Sequence, residues 1–86
     1  MSRIFIDVRE SFEFKMGHVD GANNIPLSKL KNSAEKLEGI PKDAEIILYC
    51  LSGGRSDIAM KSMENMGYTN IVNGINKKYI EEKYST

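Results

Sequence analysis

The chain has no tryptophan, a single cysteine, a single histidine and two prolines among 86 residues. Each shortage closes off a class of protein. One cysteine excludes an internal disulfide framework, and one cysteine with one histidine is too few to build a zinc site from those residues. No metal or other cofactor is needed to explain the sequence. Twelve lysines and arginines balance twelve aspartates and glutamates, so no overall field draws the chain onto nucleic acid or an acidic membrane. No apolar run reaches bilayer-spanning length, and the opening Met1-Ser2-Arg3-Ile4-Phe5-Ile6-Asp7 lacks the apolar stretch and small-residue cleavage site of a signal peptide. The expectation is a cytoplasmic monomer with no nucleic-acid or membrane partner, in a reduced setting where a lone thiol stays available. A chain of this length makes one domain, residues 1–86, and buries only about 60% of the surface its unfolded form exposes.

What the sequence does contain is a regular alternation of apolar patterns. Arg3 to Val8 reads as a buried strand closing in charge, and Arg9 to Met16 as a short helix or turn that packs two aromatics and stops at Gly17. His18-Val19-Asp20-Gly21-Ala22 is a loop whose histidine is a structural hydrogen-bonding residue, because nothing near it supplies a second member of a dyad. Asn23 to Pro26 makes a brief edge strand, since proline donates no ladder bond. Ser28 is placed to cap a helix carrying Leu30, Ala34 and Leu37 at helical spacing before Gly39. A turn over 40–44 leads to a third strand, Glu45 to Tyr49. A helix then runs to Met66 with Ile58, Ala59, Met63 and Met66 inward. Tyr68 to Val72 reads as a fourth strand, Asn73-Gly74 as a turn, and Ile75 to Tyr84 as an amphipathic helix using Ile75, Tyr79 and Ile80.

Strands alternating with helices predict an α/β domain with a small, mainly parallel sheet between helical layers. In a doubly wound sheet of order second-first-third-fourth, the first and third strands are neighbours, and ligands bind outside their carboxyl ends where the winding reverses. That crevice receives Asp7, Val8 and Arg9 from one strand and Cys50 onward from the other.

The stretch Ile46-Ile47-Leu48-Tyr49-Cys50-Leu51-Ser52-Gly53-Gly54-Arg55-Ser56 carries the chemistry. A buried strand ends near the cysteine, and a helix starts at Arg55 or Ser56. The loop N–H groups and the positive end of the helix converge on the sulfur and favour a thiolate. Gly53 and Gly54 permit positive φ and leave room for an anion. Arg55 adds a permanent charge. A lone cysteine at a strand end is by itself a small buried hydrophobe. The joint spacing Cys-x-x-Gly-x-Arg-Ser on a strand-loop-helix makes it a nucleophile.

These residues resemble a rhodanese domain, specifically the minimal single-domain sulfurtransferases of the phage-shock-protein E type. The resemblance runs in order through Asp7-Val8-Arg9-Glu10, Phe14, Gly17-His18-Val19-Asp20-Gly21-Ala22, Asn24-Ile25-Pro26-Leu27, Tyr49 to Ser56, and Gly67-Tyr68. Fuller domains of that family carry an extra strand and helix ahead of the segment matching Asp7, so this copy is expected to have about four strands. The family's late glycine pair survives only as Asn73-Gly74, and its tryptophan is missing.

The resemblance implies a thiosulfate-type sulfurtransferase in which Cys50 attacks a small-molecule sulfur donor and carries sulfur as a persulfide to a thiol acceptor, a small redox protein among the candidates, or to cyanide in an assay. Leu51, Ser52, Gly53, Gly54, Arg55 and Ser56 form the anion-binding loop. Arg55 either attracts the donor or braces the loop by pairing with a carboxylate. Asp7 and Arg9 support the loop. Two other readings share the architecture. Phosphatases and arsenate reductases of the cell-division-cycle 25 type have five residues between cysteine and arginine, whereas Cys50 to Arg55 encloses four, a smaller cradle suited to one sulfur atom. A non-catalytic binding module has no need of Cys50 and both glycines.

Overall fold

The computed structural model describes residues 3–32 and 37–84. The elements run β1 (Arg3–Asp7), α1 (Ser11–Lys15), β2 (Asn23–Asn24), a 3-10 helix (Leu27–Asn32), β3 (Glu45–Cys50), α2 (Gly54–Asn65), β4 (Ile71–Asn76) and α3 (Lys77–Tyr84). Four parallel strands pair in the order β2-β1-β3-β4, as the alternation predicts. β1 and β3 lie side by side, with Asp7 opposite Tyr49.

β3 shows why a continuous apolar run specifies a central strand. Ile46, Leu48 and Cys50 face one cluster with Ile6, Val8, Ala59 and Met63, while Ile47 and Tyr49 face a second cluster with Val19 and Ile80. A parallel strand covered on both faces has no polar side to show. The second cluster is closed by Phe5 and Tyr84, whose rings meet edge to face at 5.7 Å. Among the described residues no helix is long and apolar enough to cross a membrane.

Several local expectations are corrected. Leu27–Asn32 is a 3-10 helix, and Ser28 lies inside it with its hydroxyl donating to Glu10 (3.0 Å) instead of capping an α-helix. Ala34 lies outside the described residues. On α2, Ala59 and Met63 are buried but Ile58 is exposed, and the inward position it was expected to hold goes to Ser56. Phe12 is likewise exposed, so α1 packs only one of its aromatics.

The largest correction is at the fourth strand. Residues 67–70 are spent leaving α2: Gly67 has φ +102°, Tyr68 turns inward with its N–H on the Met63 carbonyl, and the Thr69 N–H reaches Lys42. The strand is therefore Ile71–Asn76, and Asn73-Gly74 lies within it instead of forming a turn. Glycine is required there for space. A Cβ at Gly74 would stand 2.6 Å from Ile47 Cγ2 and 2.8 Å from Ile80 Cδ1. Pairing slips between Leu48, opposite Asn73, and Cys50, opposite Asn76, so β4 carries one extra residue and bulges beside the cysteine. Ile75, in that bulge, is exposed with φ +70°, and Tyr79 is also exposed, so α3 packs through buried Ile80 and the half-buried Tyr84.

Candidate active site

Cys50 ends β3, and its side chain is only 2% exposed. The chain turns back over it because Gly53 adopts φ +94°, a conformation that costs a side-chain-bearing residue free energy. The turn aims the Gly53 N–H at Sγ, 3.2 Å away. Gly54 starts α2, so the loop and the first turn of the helix face the sulfur together. Ser56 is fully buried, with Oγ 3.5 Å from Sγ. Burial pushes the thiol up, but the Ser56 hydroxyl and the backbone N–H groups of Ser56, Ser52 and Gly53 outweigh it and bring the pKa down to about 7. Charge-assisted hydrogen bonds to the thiolate are the physical cause. Leu51 and Ser52 lie at the exposed mouth of the loop.

Arg55 points away from a free role. Its guanidinium donates to both carboxylate oxygens of Glu13 on α1, at 2.8 and 3.0 Å. Glu13 in turn accepts the Glu10 N–H at 3.0 Å. The Arg55 hydrogen bonds hold the Glu13 carboxyl down at about 2. Of the two roles the sequence leaves open for Arg55, bracing is the one the geometry displays.

Asp7 and Arg9 form a second pair, more deeply buried. The Asp7 carboxylate accepts Arg9 Nε at 2.9 Å and Nη2 at 2.6 Å, and also the Arg9 N–H at 2.9 Å. Arg9 Nη2 donates on to the Gly17 carbonyl (2.7 Å), and Asn24 Nδ2 donates to the carbonyls of Asp7 and Arg9. The pair thus ties β1, β2 and the end of α1 together without touching Cys50. His18 sits apart, its Nδ1 2.8 Å from the Phe14 carbonyl and its ring stacked on Phe14 at 3.6 Å.

Three residues of this neighbourhood have roles that escape a reading of the sequence. Tyr49, fully buried, accepts the Val19 N–H on its hydroxyl at 2.9 Å, and burial pushes that hydroxyl up to about 12. Glu13 lies between Phe12 and Phe14 with nothing in the sequence to mark it as Arg55's partner. Asn73 looked like half of a turn. Partners 17 to 42 positions away leave no periodic trace in a chain.

Comparison with known proteins agrees with this geometry. The model of the rhodanese-like domain matches residues 1–76. A Mycobacterium tuberculosis protein named probable adenylyltransferase/sulfurtransferase MoeZ is 42% identical over 67 residues, covering 78% of this chain but 17% of that protein's length. The solved structure described as a rhodanese with anions from E. coli superposes with a TM-score of 0.81 at 33% identity, covering 92% of each chain. The human single-domain sulfurtransferase TSTD1 superposes at 0.78 with 26% identity, over 94% of this chain and 83% of that one. With the parallel sheet, the cysteine at the end of β3 and the N–H groups around it, these matches place the chain in the rhodanese-like sulfurtransferase family.

Proposed function

We propose that the protein moves sulfane sulfur from thiosulfate or a related donor to a thiol acceptor through a persulfide on Cys50. The observation that carries this reading is a buried sulfur faced by the Gly53 N–H at 3.2 Å and the Ser56 hydroxyl at 3.5 Å, donors that favour its thiolate despite burial. Such a cradle makes a nucleophile without a neighbouring base. The Cys50 thiolate attacks the outer sulfur of thiosulfate, a new S–S bond forms to Sγ, and the S–S bond of the donor breaks with its electron pair leaving on sulfite. The persulfide keeps the negative charge, and the same donors that held the thiolate receive it. An acceptor thiolate then attacks the terminal sulfur, and the Cys50 thiolate departs. The acceptor is a cellular thiol or a small redox protein, with cyanide as a laboratory substitute.

Support for sulfur over a tetrahedral oxyanion comes from the loop itself. Arg55 closes it after four residues, and both its Nη atoms are engaged by Glu13, so forking around a phosphate would mean giving up that pair. Intact mass after thiosulfate treatment tests the proposal. A gain of about 32 Da, one sulfur atom, removable by reducing thiols and absent in Cys50→Ser, is expected. The same adduct in Cys50→Ser, or Cys50-dependent phosphatase turnover with no adduct, overturns it. A folded protein that takes no sulfur from several donors points to a binding module.

A further inference from the structure

The Ser56 hydroxyl has one proton and three acceptors within reach. Asn73 Oδ1 is 2.6 Å away, the Gly53 carbonyl 3.2 Å and Cys50 Sγ 3.5 Å. The shortest contact goes to a residue from β4 that belongs to none of the loop's motifs. Asn73 also donates from Nδ2 to the Gly53 carbonyl (3.0 Å) and accepts the Ile75 N–H on Oδ1 (3.0 Å). These partners fix the amide's orientation, because a flipped side chain would set NH2 against the Ile75 N–H. The Ile75 N–H bond also helps hold a β-branched residue at φ +70°, a conformation that persists only where the surroundings enforce it. The bulge is therefore built around this one asparagine.

We infer that Asn73 is a positioning residue for Cys50: its side-chain oxygen competes with the sulfur for the single Ser56 proton, so that one hydroxyl serves both the neutral and the charged sulfur. With Cys50 as the thiol, Ser56 donates to Asn73 and its oxygen lone pair accepts the S–H. When the thiol loses its proton to solvent, or when the persulfide carries the charge, the hydroxyl turns and donates to sulfur. Asn73 Oδ1 is not orphaned by that turn, since it keeps the Ile75 N–H. Asn73 also pins the Gly53 carbonyl, fixing the peptide whose neighbour donates to Sγ.

The inference rests on Cys50 acting as a nucleophile, but its test does not require sulfur transfer. The alkylation rate of Cys50 against pH gives its ionisation midpoint in the parent, Asn73→Asp and Asn73→Gly proteins, each with and without the Ser56→Ala substitution. A carboxylate at position 73 binds the hydroxyl more tightly, so Ser56→Ala should matter less there. Removing the side chain releases the hydroxyl to sulfur, so Ser56→Ala should matter more. Against a shift of about tenfold in the thiol/thiolate ratio in the parent, we expect less than about threefold with Asn73→Asp and more than about thirtyfold with Asn73→Gly. The charged groups beside the loop are Arg55, Glu13 and Glu10, with the Asp7–Arg9 pair at the end of the neighbouring strand. They are common to every pair and cancel in the comparison. An effect of Ser56→Ala that is equal within twofold in all three backgrounds overturns the inference, as does a reversed order. If Asn73→Asp does not fold, the Asn73→Gly pair alone decides. A parent that ionises as expected but takes up no sulfur defeats the proposed function while leaving this inference standing.

Discussion

Replacing Ser56 with alanine removes one hydrogen bond to the sulfur and leaves the fold's main contacts in place. With a pKa of about 7, half of Cys50 is thiolate at neutral pH, against about 3% for an unperturbed cysteine near 8.5. A hydrogen bond to a charged group contributes about 1.5 kcal/mol, close to the free energy of a tenfold change in ionisation. The midpoint should therefore move up to about 8, and the thiolate fraction at pH 7 should fall about fivefold. Each thiolate also becomes about threefold more nucleophilic as its basicity rises. The net loss of alkylation rate at pH 7 is then only about twofold, while the plateau above pH 9 rises about threefold. Iodoacetamide rates from pH 5 to 10 should give two curves that cross. Superimposed curves would show that Ser56 does not hold the charge, and a parent midpoint at or above about 8.5 would refute the account of how the thiolate is made.

Three further outcomes follow from the same geometry. Glu13→Gln should lower stability at pH 7 by about 1 kcal/mol, a discounted figure because Arg55 is about one-third exposed and water screens the pair. Since the folded carboxyl lies near 2, below its unfolded value, the parent keeps this contribution above about pH 4.5 and loses it as pH falls toward 2, whereas the variant's denaturation should show no such step. Gly74→Ala should cost about 1–3 kcal/mol in urea unfolding, because the added methyl meets two buried isoleucines within 3 Å; an unchanged midpoint would mean that β4 gives way freely. His18→Ala should leave the Cys50 alkylation midpoint in place and lower the melting temperature, and a large rise in that midpoint would make His18 part of the site.

The sequence by itself determined the sheet. The number of strands, their parallel pairing and their order agree with the sequence reading, and β3 stands out most clearly because burial on both faces of a central strand leaves an unbroken apolar signature. It also brought the cysteine, the glycines and the start of α2 into one contiguous stretch, so the cradle they form around the sulfur is local. Tertiary structure alone decided who holds that loop. Glu13 reaches Arg55 across 42 positions and Asn73 reaches Gly53 across 20, and a polar residue that serves a distant partner has the same local pattern as one that faces water. The displaced β4 has the same origin. Asn73-Gly74 carries the composition of a turn, yet it is held in the sheet by an amide that the cysteine loop satisfies and by a gap between Ile47 and Ile80 that only glycine fits.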